Sequence, residues 1–482
     1  MTIVLTILVY FAALYLFSRI MTGRKTNNET FFRGNRKSPW YMVAFGMVGA
    51  SISGITFVSV PGMVMTMDMT YMQTCIGFIF GYFVIAFILL PIYYRNNLTT
   101  IYSYLGNRLG RRSYKTGAWY FLLSKIIGAS VRFYVVCIIL QDYVFAKIGI
   151  PFELTVVIMV ALIWLYTRKG GIKTLVWTDT FQTTCLFGAL ILIIINVASS
   201  LGMNMSETFH AIQDSSMSRL FVFDDPKSTQ YFWKQFFSGI FIVIVMTGLD
   251  QDMMQKNLTC KNLRAAQKDM CSYGVLFVPV NFLFLALGVL LLLLYQKTGV
   301  PVPEKGDDLL SGMVLNGMMG NVCLVFFTIG VIASAFSSAD SAMTALTTSF
   351  CIDILEKEED EKTRKRVHLG VMVAFVLVTL VFNAIGSGSV MDLIYTLVSY
   401  TYGPLLGLFA FGMFTRRQPQ EKYVPFIAIA SPLICYMIDV VVLQWTGYQF
   451  GYELLMFNGL LTFVGLWGVS HRYSQKITGG TR

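Results

Sequence analysis

Apolar runs about as long as a bilayer-spanning helix, separated by short polar stretches, recur along the whole chain. A hydrocarbon core is crossed by about 20 residues of helix. Windows of that length fall at 2–22, 40–66, 71–94, 114–146, 152–167, 175–199, 230–252, 270–296, 321–350, 367–386, 390–415, 423–444 and 451–470. These thirteen windows predict an all-α polytopic membrane protein. Two are irregular: 152–167 is short, and 114–146 contains Lys125 and Arg132. Window 2–22 lacks the charged start and small-residue cleavage site of a secretory leader, so it reads as a span.

Composition removes the other broad classes. Hydrophobic residues make up 55% of the 482 and charged residues 13%, against about 25% charged in a soluble protein. The formal charge of +11 does not indicate nucleic acid, because the basic residues sit in short loops instead of clustering on one face. Their distribution orients the chain. Alternate connections beginning with 23–39 hold 28 Lys and Arg and the opposite set six. Basic loops stay cytosolic, which puts the N-terminus outside and the C-terminus in the cytosol. No soluble domain is visible: 200–229 and 297–320 read as outward loops, and Glu356–Arg366 as a solvated cytosolic loop. The eight cysteines lie mostly in apolar segments without metal-binding spacing, so neither a disulfide framework nor a metal centre is expected.

Window 40–66 contains GMVGASISGITFVSVPG, with four Gly, three Ser, one Thr and one Pro. Irregular backbone survives at membrane depth only where it lines a cavity or is buried in protein; the alternative is close helix packing through small residues. Window 230–252 carries Thr247-Gly248 before Asp250-Gln251-Asp252. The two segments open successive blocks of five spans. An odd number per block inverts the second relative to the first, the plan of many secondary transporters. The chain then reads as one transporter domain over 1–482: an extra helix at 2–22, repeats at about 40–199 and 230–415, and C-terminal helices at about 423–470.

Three motifs follow the same order. Gly170-Gly171 precedes a helix bearing Thr178-Asp179-x-x-Gln182; Ser334-Ala335-Phe336-Ser337-Ser338 lies in the ninth window; Gln255-Lys256-Asn257 follows the seventh. Together they resemble the sodium/solute symporter family, whose members carry sugars, proline, iodide or sialic acid with sodium on a leucine-transporter-like 5+5 fold. Ser334, Ser337 and Ser338 share a helix face by their i, i+3, i+4 spacing. The resemblance pairs that face with carbonyls of the broken second span, at Gly49 and Ile52, as a sodium site; helix packing or back-bonding is the bland alternative. Asp179 matches an aspartate near a further sodium site in some members. Asp340, where the sialic acid carriers have a small hydroxyl residue, approaches its depth together with Ser341. These three residues form the candidate second sodium site, with a structural hydrogen bond as the other reading of Asp179.

Arg132 lies midway along its span. An intramembrane arginine needs a partner, and its fork suits a carboxylate. The sialic acid carriers have a substrate-binding arginine at the matching place, and their broken-helix sequence resembles Ser51-Ile52-Ser53-Gly54-Ile55-Thr56-Phe57. This implies substrate contacts from Ser51, Ser53, Thr56, Tyr71 and Arg132. Cys75 stands where those carriers have an amide, and Arg132 in a helix-holding salt bridge is the alternative. Lys125 is expected to snorkel to the cytosolic vestibule. The sequence thus implies a multi-pass plasma-membrane symporter, of a bacterial inner membrane by the resemblance. It would import a small organic solute, a carboxylate such as sialic acid or else a neutral sugar or amino acid. A non-transporting sensor on the same fold is the remaining alternative. Sodium is the coupling ion, no other cofactor is implied, and the partners are solute, sodium and the bilayer, without nucleic acid or an obligate protein partner. An enzyme would need clustered catalytic groups, and none is visible.

Overall fold

A computed structural model describes residues 2–23, 26–315, 317–385, 390–448, 450–451 and 453–472, apart from a few side chains within them. Of the charges used for orientation, Arg24, Lys25, Lys476 and Arg482 lie outside the described residues, as does residue 386 at the end of the tenth window. The longer helices are α1 (Thr2–Thr22), α2 (Trp40–Ser51), α3 (Gly54–Met67), α4 (Tyr71–Val84), α5 (Arg111–Leu140), α6 (Phe152–Gly170), α7 (Ile172–Leu201), α8 (Phe232–Val243), α9 (Gln251–Asn257), α10 (Leu263–Thr298), α11 (Gly320–Ser349), α12 (Glu361–Ile385), α13 (Val390–Phe414), α14 (Val424–Thr446) and α15 (Glu453–Gly468). Among the described residues, eight helices are long and apolar enough to cross a membrane, and ten if the bent pairs α2–α3 and α8–α9 each count as one span. The remaining windows are also helical. Of these, α6 carries Glu153, Arg168 and Lys169 at its ends and α15 has only 16 residues.

The bundle is graded from centre to rim. In their most apolar stretches α10 and α11 are 67% buried, while α12 and α14 are 22% and 17% buried. The outer helices therefore offer apolar side chains such as Leu377 and Phe426 to lipid. Helix α7 packs against α2 and α11, α4 lies along α8, and α10 touches α2, α3 and α4. Local chemistry explains the joints. Gly171, with φ +49° and ψ −129°, makes the hook between α6 and α7, where a side chain would collide with Phe31. Gly49 lets α2 approach α7 so closely that a Cβ there would overlap the Thr183 side chain. The segments before α2 and after α9 are tied by the amide of Ser38, which donates to the Thr259 carbonyl at 3.2 Å.

One expectation holds only in part at the surface. Most of Glu356–Arg366 is exposed, but α12 begins at Glu361 and Arg364 is buried, donating to Asn28 Oδ1 at 2.8 Å and lying over the Phe31 ring. Glu356 accepts Lys115 Nζ at 2.5 Å and Arg111 at 3.0 Å, and these cations hold its carboxyl below the usual carboxylate range.

Candidate transport site

The site begins at two helix breaks. Helix α2 ends at Ser51, Ile52 leaves helical geometry, and Ser53 is extended (φ −71°, ψ 166°). Its Oγ accepts the Thr56 amide at 3.4 Å and caps α3, as serine does well at that position. The Ser53 amide donates to the Ser51 carbonyl at 3.1 Å, not to that of Gly49. The axes of α2 and α3 differ by 60°. The second break lies between α8 and α9, bent by 72°. Helix α8 runs into a wide turn over Ile244–Gly248, and the carboxylate of Asp250 then accepts the Asp252 amide at 2.8 Å and starts α9. Such breaks free carbonyl oxygens that a continuous helix would use.

Between the breaks lies a cavity of about 200 Å³. Ser51, Ser53, Thr56, Tyr71 and Arg132 all line it, together with Lys125, Asp250, Asp252, Ser338 and Tyr402. Cys75 is buried and lies off the lining, where Thr74 takes part instead. Ser51 Oγ hydrogen-bonds the Tyr273 hydroxyl, which accepts that of Tyr82 at 2.8 Å. No carboxylate among the described residues lies within ion-pair distance of Arg132.

Lys125 corrects the snorkelling expectation. It is buried, with its ammonium 3.1 Å from Asp250 and 2.7 Å from Asp252, and Tyr402 donates to Asp250 at 2.7 Å. An ion pair at membrane depth is satisfied inside the protein more cheaply than by a long reach to water.

The serine face divides. Ser338 Oγ donates to the Ala50 carbonyl at 2.9 Å, bringing α11 against the open end of α2 beside Gly49 and Ile52. Ser337 Oγ donates to Asp179 Oδ1 at 2.7 Å. Ser334 turns back to the Val331 carbonyl of its own helix at 2.9 Å, so it shares the face by spacing but bonds within α11 and not across to α2 or α7. Asp179 meets a cation of the chain: Lys256 Nζ lies 2.7 Å from Oδ2, both side chains almost wholly buried. Asp340 accepts the Tyr166 hydroxyl at 2.6 Å and Ser341 Oγ at 3.2 Å. Asp179 and Asp340 thus have separate direct partners, Lys256 and Ser337 for the one and Tyr166 and Ser341 for the other.

These are the parts of a transporter, a polar cavity between discontinuous helices. The model of the sodium:solute symporter family matches residues 31–421. The chain belongs to that family. It is 23% identical over 436 residues to the sodium/sialic acid symporter of Proteus mirabilis, covering 85% of this chain and 84% of that one. It is 25% identical over 438 residues to the sodium/sialic acid symporter of Aliivibrio fischeri, covering 85% and 82%. A solved structure of a Na+-coupled sialic acid symporter, substrate-bound and outward-open, matches with a TM-score of 0.79 at 20% identity over 97% of each chain and so shares the fold. The protein is a multi-pass membrane transporter rather than an enzyme, and sodium is its coupling ion.

The sequence marked Lys256 within a motif and Asp250 and Asp252 beside a break, but placed none of them, nor Tyr166 or Tyr402, in the site. A signal existed for the charged ones, since ionisable residues within membrane spans mark functional sites by default. For the tyrosines none existed, because they are two among the 25 of the chain.

Proposed function

We propose that the protein imports a small carboxylate-bearing solute, of which sialic acid is the first candidate, with sodium and by alternating access. The observation that carries this reading is Arg132 facing the cavity without a carboxylate partner among the described residues, beside the hydroxyls of Ser51, Ser53, Thr56 and Tyr71. A bound carboxylate would satisfy both the charge and the fork. The sialic acid carried by the two bacterial relatives has that group. Sodium is held where α2 opens, by carbonyls of Gly49, Ala50 and Ile52 and the hydroxyls of Ser337 and Ser338. Such an oxygen cage suits a hard cation without burying net charge. Equivalent breaks in the second and seventh spans support thirteen spans with a 5+5 inverted repeat. The basic-loop bias supports an external N-terminus, a cytosolic C-terminus and residence in the plasma membrane, the inner membrane if the source is bacterial.

Uptake of labelled sialic acids, sugars, amino acids and short monocarboxylates into proteoliposomes, with and without a sodium gradient, tests the reading. Sodium-driven uptake of a carboxylate that collapses in Arg132→Ala is expected. Sodium-driven uptake of an uncharged sugar, undiminished in Arg132→Ala, would overturn the carboxylate assignment.

A further inference from the structure

We propose that Lys256 is a resident cation at Asp179, so that the chain's own ammonium group fills the second cation place and one sodium moves per cycle. This rests on the sodium-symport reading above. Both oxygens of Asp179 are already engaged by the protein: Oδ2 lies 2.7 Å from Lys256 Nζ and Oδ1 accepts Ser337 Oγ at 2.7 Å. Asp179 and Lys256 are 1% exposed each. A sodium ion bound there would sit within a few ångströms of a buried like charge that water does not screen. Two neighbouring acids are likewise engaged. Asp340 takes hydrogen bonds from Tyr166 and Ser341, while Asp252 lies 2.7 Å from Lys125.

The lysine is held in place from both sides. Gln255 Nε2 donates to the Phe32 carbonyl at 2.9 Å and to Thr348 Oγ1 at 2.8 Å, and Asn257 Nδ2 donates to the Ala266 carbonyl at 3.0 Å. With its neighbours clamped, Lys256 on α9 reaches across to Asp179 on α7 and neutralises a carboxylate that would otherwise be costly at that depth. A mobile ion would be redundant there.

Equilibrium binding of radiolabelled sodium alone to the purified full-length protein, in the absence of any solute, tests this. The wild type is expected to bind one sodium per chain, and so is Lys256→Arg. Lys256→Gln should bind two, and adding Asp179→Asn to it should return the count to one. If Lys256→Gln does not fold, Asp179→Asn alone decides: one sodium retained supports the inference. A wild type that binds two, one of them lost in Asp179→Asn, would overturn it. No sodium bound by the wild type would overturn the symport reading, and the inference with it.

Discussion

Arg132 and Ser338 show how single side chains divide the work of the cavity. Removing one partner of a buried charge pair costs about 3–5 kcal/mol, so Arg132→Ala is expected to weaken solute affinity by at least about two orders of magnitude. Arg132→Lys keeps the charge without the fork and should fall between. Sodium binding measured without solute should be little changed in either, because the carbonyls and hydroxyls assigned to sodium lie on α2 and α11. Ser338→Ala should raise the sodium concentration for half-maximal uptake by roughly 5- to 150-fold, the equivalent of about 1–3 kcal/mol for one buried hydroxyl. Ser334→Ala should lose less, its hydroxyl bonding within its own helix and not to the open end of α2; equal losses in the two variants would contradict the division. The sequence made Arg132 legible because a lone charge in an apolar window demands an explanation. The serine face was legible through helical periodicity alone. Which charges meet was not legible: the partners of Lys256 and Lys125 lie on helices distant in the chain, and only the folded bundle brings Asp179, Asp250 and Asp252 to them.

The same contrast holds for the elements. The break between α2 and α3 was visible as a crowd of small residues in an apolar window. The glycine pair before α7 foretold the turn that Gly171 makes with its positive φ. By contrast, the wide turn Ile244–Gly248 is built mostly from ordinary apolar residues, so only Thr247-Gly248 and the acid at Asp250 hinted at the bend. Charge density over 356–366 read rightly as solvent exposure for most of the run but not for Arg364, which covers its charge with Asn28 and the Phe31 ring. Gly49 offers a test at this scale. Its lack of a side chain sets the spacing of α2 and α7, and a Cβ would collide with Thr183. Overpacking of this kind costs about 1–3 kcal/mol, so Gly49→Ala should melt at lower temperature in detergent and need more sodium for uptake. Gly188 on α7 faces open space, and Gly188→Ala should melt at or above the wild-type temperature, alanine being the better helix former. Equal melting of the two variants would show that the close approach of α2 to α7 does not limit stability.

For the whole molecule the decisive quantities are sidedness and net charge moved. All eight native cysteines are buried or half-buried, so an introduced exposed cysteine dominates labelling by a membrane-impermeant maleimide. Met205→Cys, in an exposed position between α7 and α8, should label in intact cells, and Lys357→Cys only after permeabilisation. The reverse pattern would invert the topology inferred from the basic loops. Charge follows from the two assignments together. Carboxylates are ionised at neutral pH, so one sodium moving with one monocarboxylate transfers no net charge. Lys256 and Asp179 return with the empty carrier and cancel over a full cycle. A potential of 100 mV is worth about 2.3 kcal/mol per elementary charge, or roughly 50-fold in accumulation at equilibrium. Accumulation of labelled solute by the wild type in proteoliposomes should therefore be unmoved by an imposed inside-negative potential. In Lys256→Gln, where a second sodium accompanies the solute, one positive charge enters per cycle. The same potential should then raise accumulation by up to that factor. Voltage-driven accumulation by the wild type would mean that more positive charge moves than one sodium balances, and it would return Asp179 to the list of sodium ligands.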